Sequence, residues 1–154
     1  MTAQSGKDPQ KHTREISHRI VLPSESFAVR RALDSVQRAL APLCLDVEEK
    51  GTIELVLAEA MNNIVEHAYE EQPHGTIELS LKKMPNGVNF ELFDQGKPMP
   101  EGELPLGRAP DPDTALGDLP EGGFGWFLIR DLAHDLKYER LDKGNLLCFR
   151  LAIA

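Results

Sequence analysis

The chain has 154 residues, the size of one ordinary domain, and its 41% hydrophobic and 27% charged residues with a mean hydropathy of −0.33 fit a soluble globular protein and exclude pervasive disorder. Lys and Arg number 17 against 25 for Asp and Glu, so the net charge of −8 repels nucleic-acid backbones and argues against that class of partner. No apolar run approaches the ~20 residues of a membrane helix, and the polar opening MTAQSGKDPQKHTRE has no signal-peptide core, so a cytoplasmic protein without a membrane partner is expected.

Residues 1–14 are polar and aperiodic and read as a mobile tail, with the folded domain over 15–154. Ile16, His18, Ile20 and Leu22 alternate with Glu15, Ser17 and Arg19 in a first strand that Pro23 stops. Ser24 is placed to cap a helix carrying Val29, Leu33, Val36 and Leu40, ended by Pro42. Asp46 and Glu49 form a capping-box pattern ahead of a longer helix, whose stripe is Ile53, Leu57, Ala60, Ile64 and Ala68 and whose end falls near 69–72. Ile77, Leu79 and Leu81, a turn at Asn86-Gly87, and Val88, Phe90 and Leu92 make a hairpin. Residues 95–122 hold six of the eleven prolines and five of the twelve glycines without sustained periodicity, as a long functional or disordered loop does. A third helix over 125–134 and a last hairpin, 136–141 and 146–153 around Asp142-Lys143-Gly144-Asn145, complete the order. The elements predict an α+β fold, a two-layer α/β sandwich with helices on one face of the sheet. Cys44 and Cys148 lie among apolar neighbours and match neither a disulfide framework nor a zinc pattern, so both read as buried thiols.

Four places carry polar groups in arrangements with chemical use. Glu59 and Asn63 lie one helical turn apart beside the apolar stripe, where they serve either as proton acceptor and hard-metal ligand or as a solvated helix edge. Asp94 ends a strand before Gln95-Gly96, as a turn residue or as a fixed acceptor for an exocyclic amine, with Gly96 leaving room for a flat ring. Gly122-Gly123-Phe124-Gly125 opens the third helix, as a hinge or as a set of free amides for an anion. No Walker loop occurs in the chain.

In order, Glu59-x-x-x-Asn63, Asp94-x-Gly96, a long loop and Gly123-x-Gly125 resemble the GHKL ATPase superfamily over about residues 15–154. The wording LAEAMNNIVEHAYE, FDQGKPM and EGGFGWFLIRDL is most similar to the anti-sigma-factor serine kinases within it. A sensor histidine kinase would also need phosphoacceptor helices, for which the length leaves no room. The resemblance implies a Bergerat-type ATP-binding fold with a mixed, largely antiparallel sheet. It implies Mg²⁺ on Asn63, a general base at Glu59, adenine read by Asp94 with Gly96 against the base, an ATP lid over 97–122, and phosphates received around Gly123, Phe124 and Gly125. A lid of that kind is expected to be mobile without nucleotide and ordered by ATP. His67 and Tyr69 match the family wording and are assigned to packing.

Two positions depart from the pattern. Gly144-Asn145 stands where Gly-Thr is usual, so Asn145 is a candidate substitute for the adenine-site threonine, and Trp126 replaces a smaller aliphatic residue and reads as core. The function implied is an ATP- and Mg²⁺-dependent protein-serine kinase that phosphorylates a small anti-anti-sigma protein of the STAS type and sequesters a sigma factor or equivalent regulator. A homodimer through the first strand and helix is part of the same resemblance. The alternative is a non-catalytic ATP-binding partner switch, which has no need of a base at Glu59.

Overall fold

The fold is that of a computed structural model, which describes residues 15–106 and 124–153. Its strands are β1 (Ser17–Pro23), β2 (Thr76–Met84), β3 (Gly87–Asp94), β4 (His134–Leu141) and β5 (Gly144–Leu151). They form one sheet in the order β1-β2-β3-β5-β4, and all four pairings are antiparallel. Three helices, α1 (Ser26–Ala39), α2 (Val47–Asn63) and α3 (Phe124–Leu132), form the second layer, with α2 between the other two. The sandwich expected from the element order is therefore present. The expected tail, residues 1–14, lies outside the described residues.

The sheet's inward face follows from strand alternation. Val88, Phe90, Leu92 and Asp94 share one face of β3, and Asn145, Leu147, Phe149 and Leu151 share the same face of β5. The register pairs them as Val88 with Leu151, Phe90 with Phe149, Leu92 with Leu147 and Asp94 with Asn145. Three of those pairs are apolar and buried, and the Phe90 and Phe149 rings stack at 5.6 Å. The fourth sets two polar residues opposite each other at a core-facing rung, at one end of the sheet. Strand β2 adds Ile77, Leu79 and Leu81 to the same core.

The helices cover this face with Val29 and Val36 from α1, Ile53, Leu57 and Met61 from α2, and Trp126 and Ile129 from α3. Helix α2 starts with the predicted capping box, in which the Glu49 amide donates to Asp46 Oδ1 at 2.7 Å and the Asp46 amide to Glu49 Oε1 at 3.2 Å. It does not end as a regular helix: Ile64–Ala68 form a π-helical turn, closed by the Tyr69 amide on the Ile64 carbonyl at 3.0 Å. Among the described residues no helix is long and apolar enough to cross a membrane.

Several local readings needed correction, in some cases because a distant partner competes. Ser24 does not cap α1; Glu25 takes that position, while the Ser24 hydroxyl donates to the Gln72 carbonyl and accepts from the Gly75 amide. The turn of the first hairpin is Pro85-Asn86, and Gly87 is already in β3 at φ +147, where a side chain would strike the Leu151 carbonyl. Similarly, the last turn contains only Asp142 and Lys143, and Gly144 and Asn145 pair with Leu141 and Arg140. Strand β4 starts two residues earlier than expected, with an irregularity in its pairing between His134 and Lys137. Neither cysteine is buried: Cys44 is exposed in a left-handed conformation after the short turn Ala41–Leu43, and Cys148 is half-buried on the outward face of β5.

Candidate functional site

The end of the sheet that carries Asp94 and Asn145 opens into a cavity of about 480 Å³, within the range of small-molecule sites. Asn63, Ile64 and His67 form one wall, Lys97 to Pro100 another, and Trp126, Tyr138 and Leu147 close the rest. Helix α2, the π-turn, the end of β3 and the start of the long loop are thereby brought to one place. Asn63 and Asp94, chosen from separate motifs, face the same space.

Asp94 is only 4% exposed. Its Oδ1 accepts hydrogen bonds from the Gly96 amide at 2.9 Å and from Asn145 Nδ2 at 2.8 Å, and no hydrogen bond from a described residue reaches Oδ2. Burial raises its pKa above the ordinary carboxylate value. The bonds from Asn145 and Gly96 and the charge of Arg140 act in the opposite direction. The result is an acceptor fixed in direction, with one oxygen committed to the protein and the other left for a donor in the cavity.

Asn145 anchors a wider network. Its Nδ2 also faces the carbonyls of Lys97 at 2.9 Å and Gly96 at 3.3 Å, and its Oδ1 accepts from the Tyr138 hydroxyl and from Arg140 Nη1 at 3.2 Å. Tyr138 in turn accepts from the Met99 amide at 2.9 Å. On the other side the Tyr69 hydroxyl donates to the Thr76 carbonyl and accepts from the Gln95 amide, each at 2.7 Å. Tyr69 thus has the packing role expected of it, since its ring fills the space beside Gly75, and it also clamps the residue next to Asp94.

His67 does not pack. Its side chain is 71% exposed and borders the cavity, because the π-turn resets the helical phase just beyond Asn63. The side-chain direction of Gly96 is filled by the Ala68 carbonyl, a reason to be glycine beside the one expected, and its neighbour Lys97 donates a backbone bond to that same oxygen at 2.8 Å. Trp126 is buried as a core residue, as expected, and lines the cavity too.

Asn63 lines the cavity from the last turn of α2, whereas Glu59, one turn earlier, is not among the lining residues. Asn63 Nδ2 is the one buried side-chain polar atom without a hydrogen-bond partner among the described residues. Such an orphan in a cavity wall is a place for a ligand. Turned about its last bond, the same carboxamide offers a hard oxygen for a cation. No cluster of three or more His, Cys, Asp or Glu suited to a metal occurs among the described residues. Glu59, half-buried, lies against the first turn of α3, where a Cβ on Gly125 would overlap its Oε2. Gly123 and residues 107–122 of the expected lid lie outside the described residues, as does the Phe124 side chain. The described part of that loop is tied to α3 by Arg130, whose guanidinium donates to the carbonyls of Pro105 at 2.8 Å and Leu104 at 3.0 Å.

Sequence reasoning missed the structural parts played by Asn145, Tyr138 and Arg130. For Asn145 a signal existed, since it shares the parity of Leu147, Phe149 and Leu151 and so occupies a core-facing rung.

A family model described as a histidine kinase-like ATPase domain matches residues 22–151. The chain is 34% identical over 97 residues to the serine/threonine-protein kinase BtrW of Bordetella bronchiseptica, covering 61% of this chain and 64% of that one. It is 31% identical over 120 residues to the serine-protein kinase RsbW of Halalkalibacterium halodurans, with 77% and 70% covered, and 26% identical over 134 residues to an anti-sigma F factor of Heyndrickxia coagulans, with 85% and 86% covered. The chain therefore spans just under two thirds of the Bordetella protein's length. Among solved structures, that of the RsbU and RsbW domains of a Mycobacterium tuberculosis protein superposes with a TM-score of 0.56 at 17% identity, covering 90% of this chain and 33% of that one, which supports the fold.

Proposed function

Because the chain belongs to the histidine kinase-like ATPase domain family, we propose that it is a protein-serine kinase: it binds ATP with Mg²⁺ in the cavity and phosphorylates a small anti-anti-sigma protein of the STAS type. In the same proposal it sequesters a sigma factor or equivalent regulator, in the cytoplasm, as one domain over 15–154. The observation that carries the reading is Asp94, a buried carboxylate with one oxygen free of partners among the described residues, lining a nucleotide-sized cavity. Its free Oδ2 suits the exocyclic amine of adenine, and the bonds on Oδ1 hold it in position. Gly96 contributes its amide to that carboxylate.

On the α2 side, the Asn63 carboxamide suits a cation or a phosphate oxygen, in keeping with its lack of a partner among the described residues. Mg²⁺ would supply charge neutralisation for the phosphates, held by Asn63 together with the nucleotide rather than in a protein cage. The first turn of α3, with Phe124 and Gly125, would present backbone amides to the same phosphates, and the resemblance adds Gly123, outside the described residues, to that role. Glu59, one turn before Asn63 and against that turn of α3, is positioned to take the proton of the incoming serine hydroxyl as its oxygen bonds to phosphorus and ADP leaves. The kinase names of the relatives favour transfer over a purely binding role. A homodimer through β1 and α1 fits the exposed Val21 and Phe27, 57% and 67% accessible on the edge strand and the first turn of α1.

The test is incubation of the purified protein with γ-labelled ATP, Mg²⁺ and a lysate of its source. Label on serine in a small protein, lost with Glu59→Gln, is the expected result. A protein that binds ATP but labels nothing would overturn the kinase reading.

A further inference from the structure

The resemblance would make residue 145 a nucleotide contact, as the usual threonine is, and the geometry disagrees. The Asn145 carboxamide has two N–H donors, and they face three protein acceptors: Asp94 Oδ1, the Lys97 carbonyl and the Gly96 carbonyl. Its oxygen has two lone pairs, and they face two protein donors, Tyr138 and Arg140. Acceptors on one side and donors on the other fix the amide's orientation, and no capacity is left for a ligand. The side chain is 4% exposed although the residue borders the cavity.

We propose that Asn145 is a positioning residue for adenine recognition, acting through Asp94, Tyr138 and the loop root at 96–99 without touching the nucleotide. The inference rests on reading Asp94 as the residue that meets the base, and it adds how that carboxylate becomes selective. By occupying Oδ1, Asn145 fixes the carboxylate plane and leaves Oδ2 as the one oxygen presented to the ligand. By holding the carbonyls of Gly96 and Lys97, and through Tyr138 the amide of Met99, it makes β3, β5, β4 and the start of the long loop one unit around that oxygen. A 6-amino purine donates to such an acceptor, whereas a 6-oxo purine sets a carbonyl against it. Discrimination between the two thus depends on Asp94 being held, and Asn145 holds it.

Calorimetric titration of the whole chain with ATP and with inosine triphosphate tests this. The wild type is expected to prefer ATP. Asn145→Ala should reduce that preference on the order of tenfold, the worth of one charge-assisted hydrogen bond, by weakening ATP and leaving inosine triphosphate nearly unchanged. Tyr138→Phe, which keeps the ring and removes the bonds to Asn145 and Met99, should move the ratio the same way by less. A merely structural role, or direct contact with ribose or phosphate, would weaken both nucleotides equally, and an unchanged ratio overturns the proposal. Should Asn145→Ala not fold, the ratio in Tyr138→Phe decides alone. A wild type that binds inosine triphosphate as tightly as ATP, or neither nucleotide, would refute the reading of Asp94 itself, a different failure from a selective wild type whose ratio the variants leave intact.

Discussion

Asp94→Asn separates what the carboxylate does for the fold from what it does for the ligand. The amide is isosteric, and its oxygen can keep both bonds now made to Oδ1, from the Gly96 amide and Asn145 Nδ2. The group facing the cavity changes from acceptor to donor, so the adenine amine loses a bond to a charged partner and meets another N–H. Such a bond contributes ~1.5–3 kcal/mol, so ATP affinity should fall by about 10- to 150-fold. Stability should move the other way. Burial raises the Asp94 pKa, so the folded state holds the proton more tightly than the unfolded chain. Unfolding free energy then falls as pH rises from the ordinary value of 3.8 through the raised one, and at neutral pH the ionised carboxylate is a net cost that Asn removes. The variant should therefore melt above the wild type at pH 7, each 1 kcal/mol appearing as ~2–4 °C in Tm. The gap should close toward pH 4 and below. Calorimetry gives the affinity and thermal melts across pH give the stability. Unchanged ATP affinity would refute the base-reading role, and a neutral-pH Tm below that of the wild type would refute the burial argument.

Glu59→Gln should keep ATP affinity within about threefold, since its shape against Gly125 is retained, and lose serine labelling by ~10²-fold or more in a single-turnover assay. Gly96→Ala should destabilise the protein by about 1–3 kcal/mol, because the added methyl meets the backbone carbonyl of Ala68, which cannot move as a side chain end can. Denaturant unfolding measures it, and a neutral result would mean that the π-turn yields easily.

What was legible in the sequence was whatever one stretch of chain decides. The Asp46–Glu49 capping box, the stripe of α2 and the alternation in β2 and β3 depend on near neighbours, and each formed. Local position marked Asp94, Asn63 and Glu59 only as candidates, with a turn or a solvated helix edge as the other reading, and the family resemblance gave them roles; the fold brings Asp94 and Asn63 to one cavity. The misread points were those decided across the sheet. Gly87 and Gly144 looked like turn residues, but both are needed where another strand's backbone or ring approaches: the Leu151 carbonyl against Gly87, and the Asp94 carbonyl and Phe93 ring against Gly144. That one-rung error hid the structural part of Asn145, named only as a candidate adenine contact, whose partners lie in β3, β4 and the loop. The π-turn after Asn63 left no sequence mark, so the outward His67 could not be foreseen.

The two ends of the cavity are prepared differently, and the contrast is measurable without nucleotide. At the sheet end every polar group of Asn145 is satisfied and Asp94 is braced, so this end is organised before a ligand arrives. At the helix end Asn63 Nδ2 is buried with no partner among the described residues. A buried unsatisfied donor costs ~1–3 kcal/mol of desolvation, and a protein keeps it where a ligand returns that energy. Asn63→Ala should therefore leave the apoprotein as stable as the wild type or more so, although the residue is half-buried beside the core. With ATP and Mg²⁺ added, the order should invert, because the wild type gains stability from binding that the variant lacks. Thermal melts with and without Mg-ATP check both halves. An apo Asn63→Ala protein that melts several degrees lower would show that the carboxamide has a structural partner, and equal stabilisation of both proteins by Mg-ATP would show that the ligand does not use it.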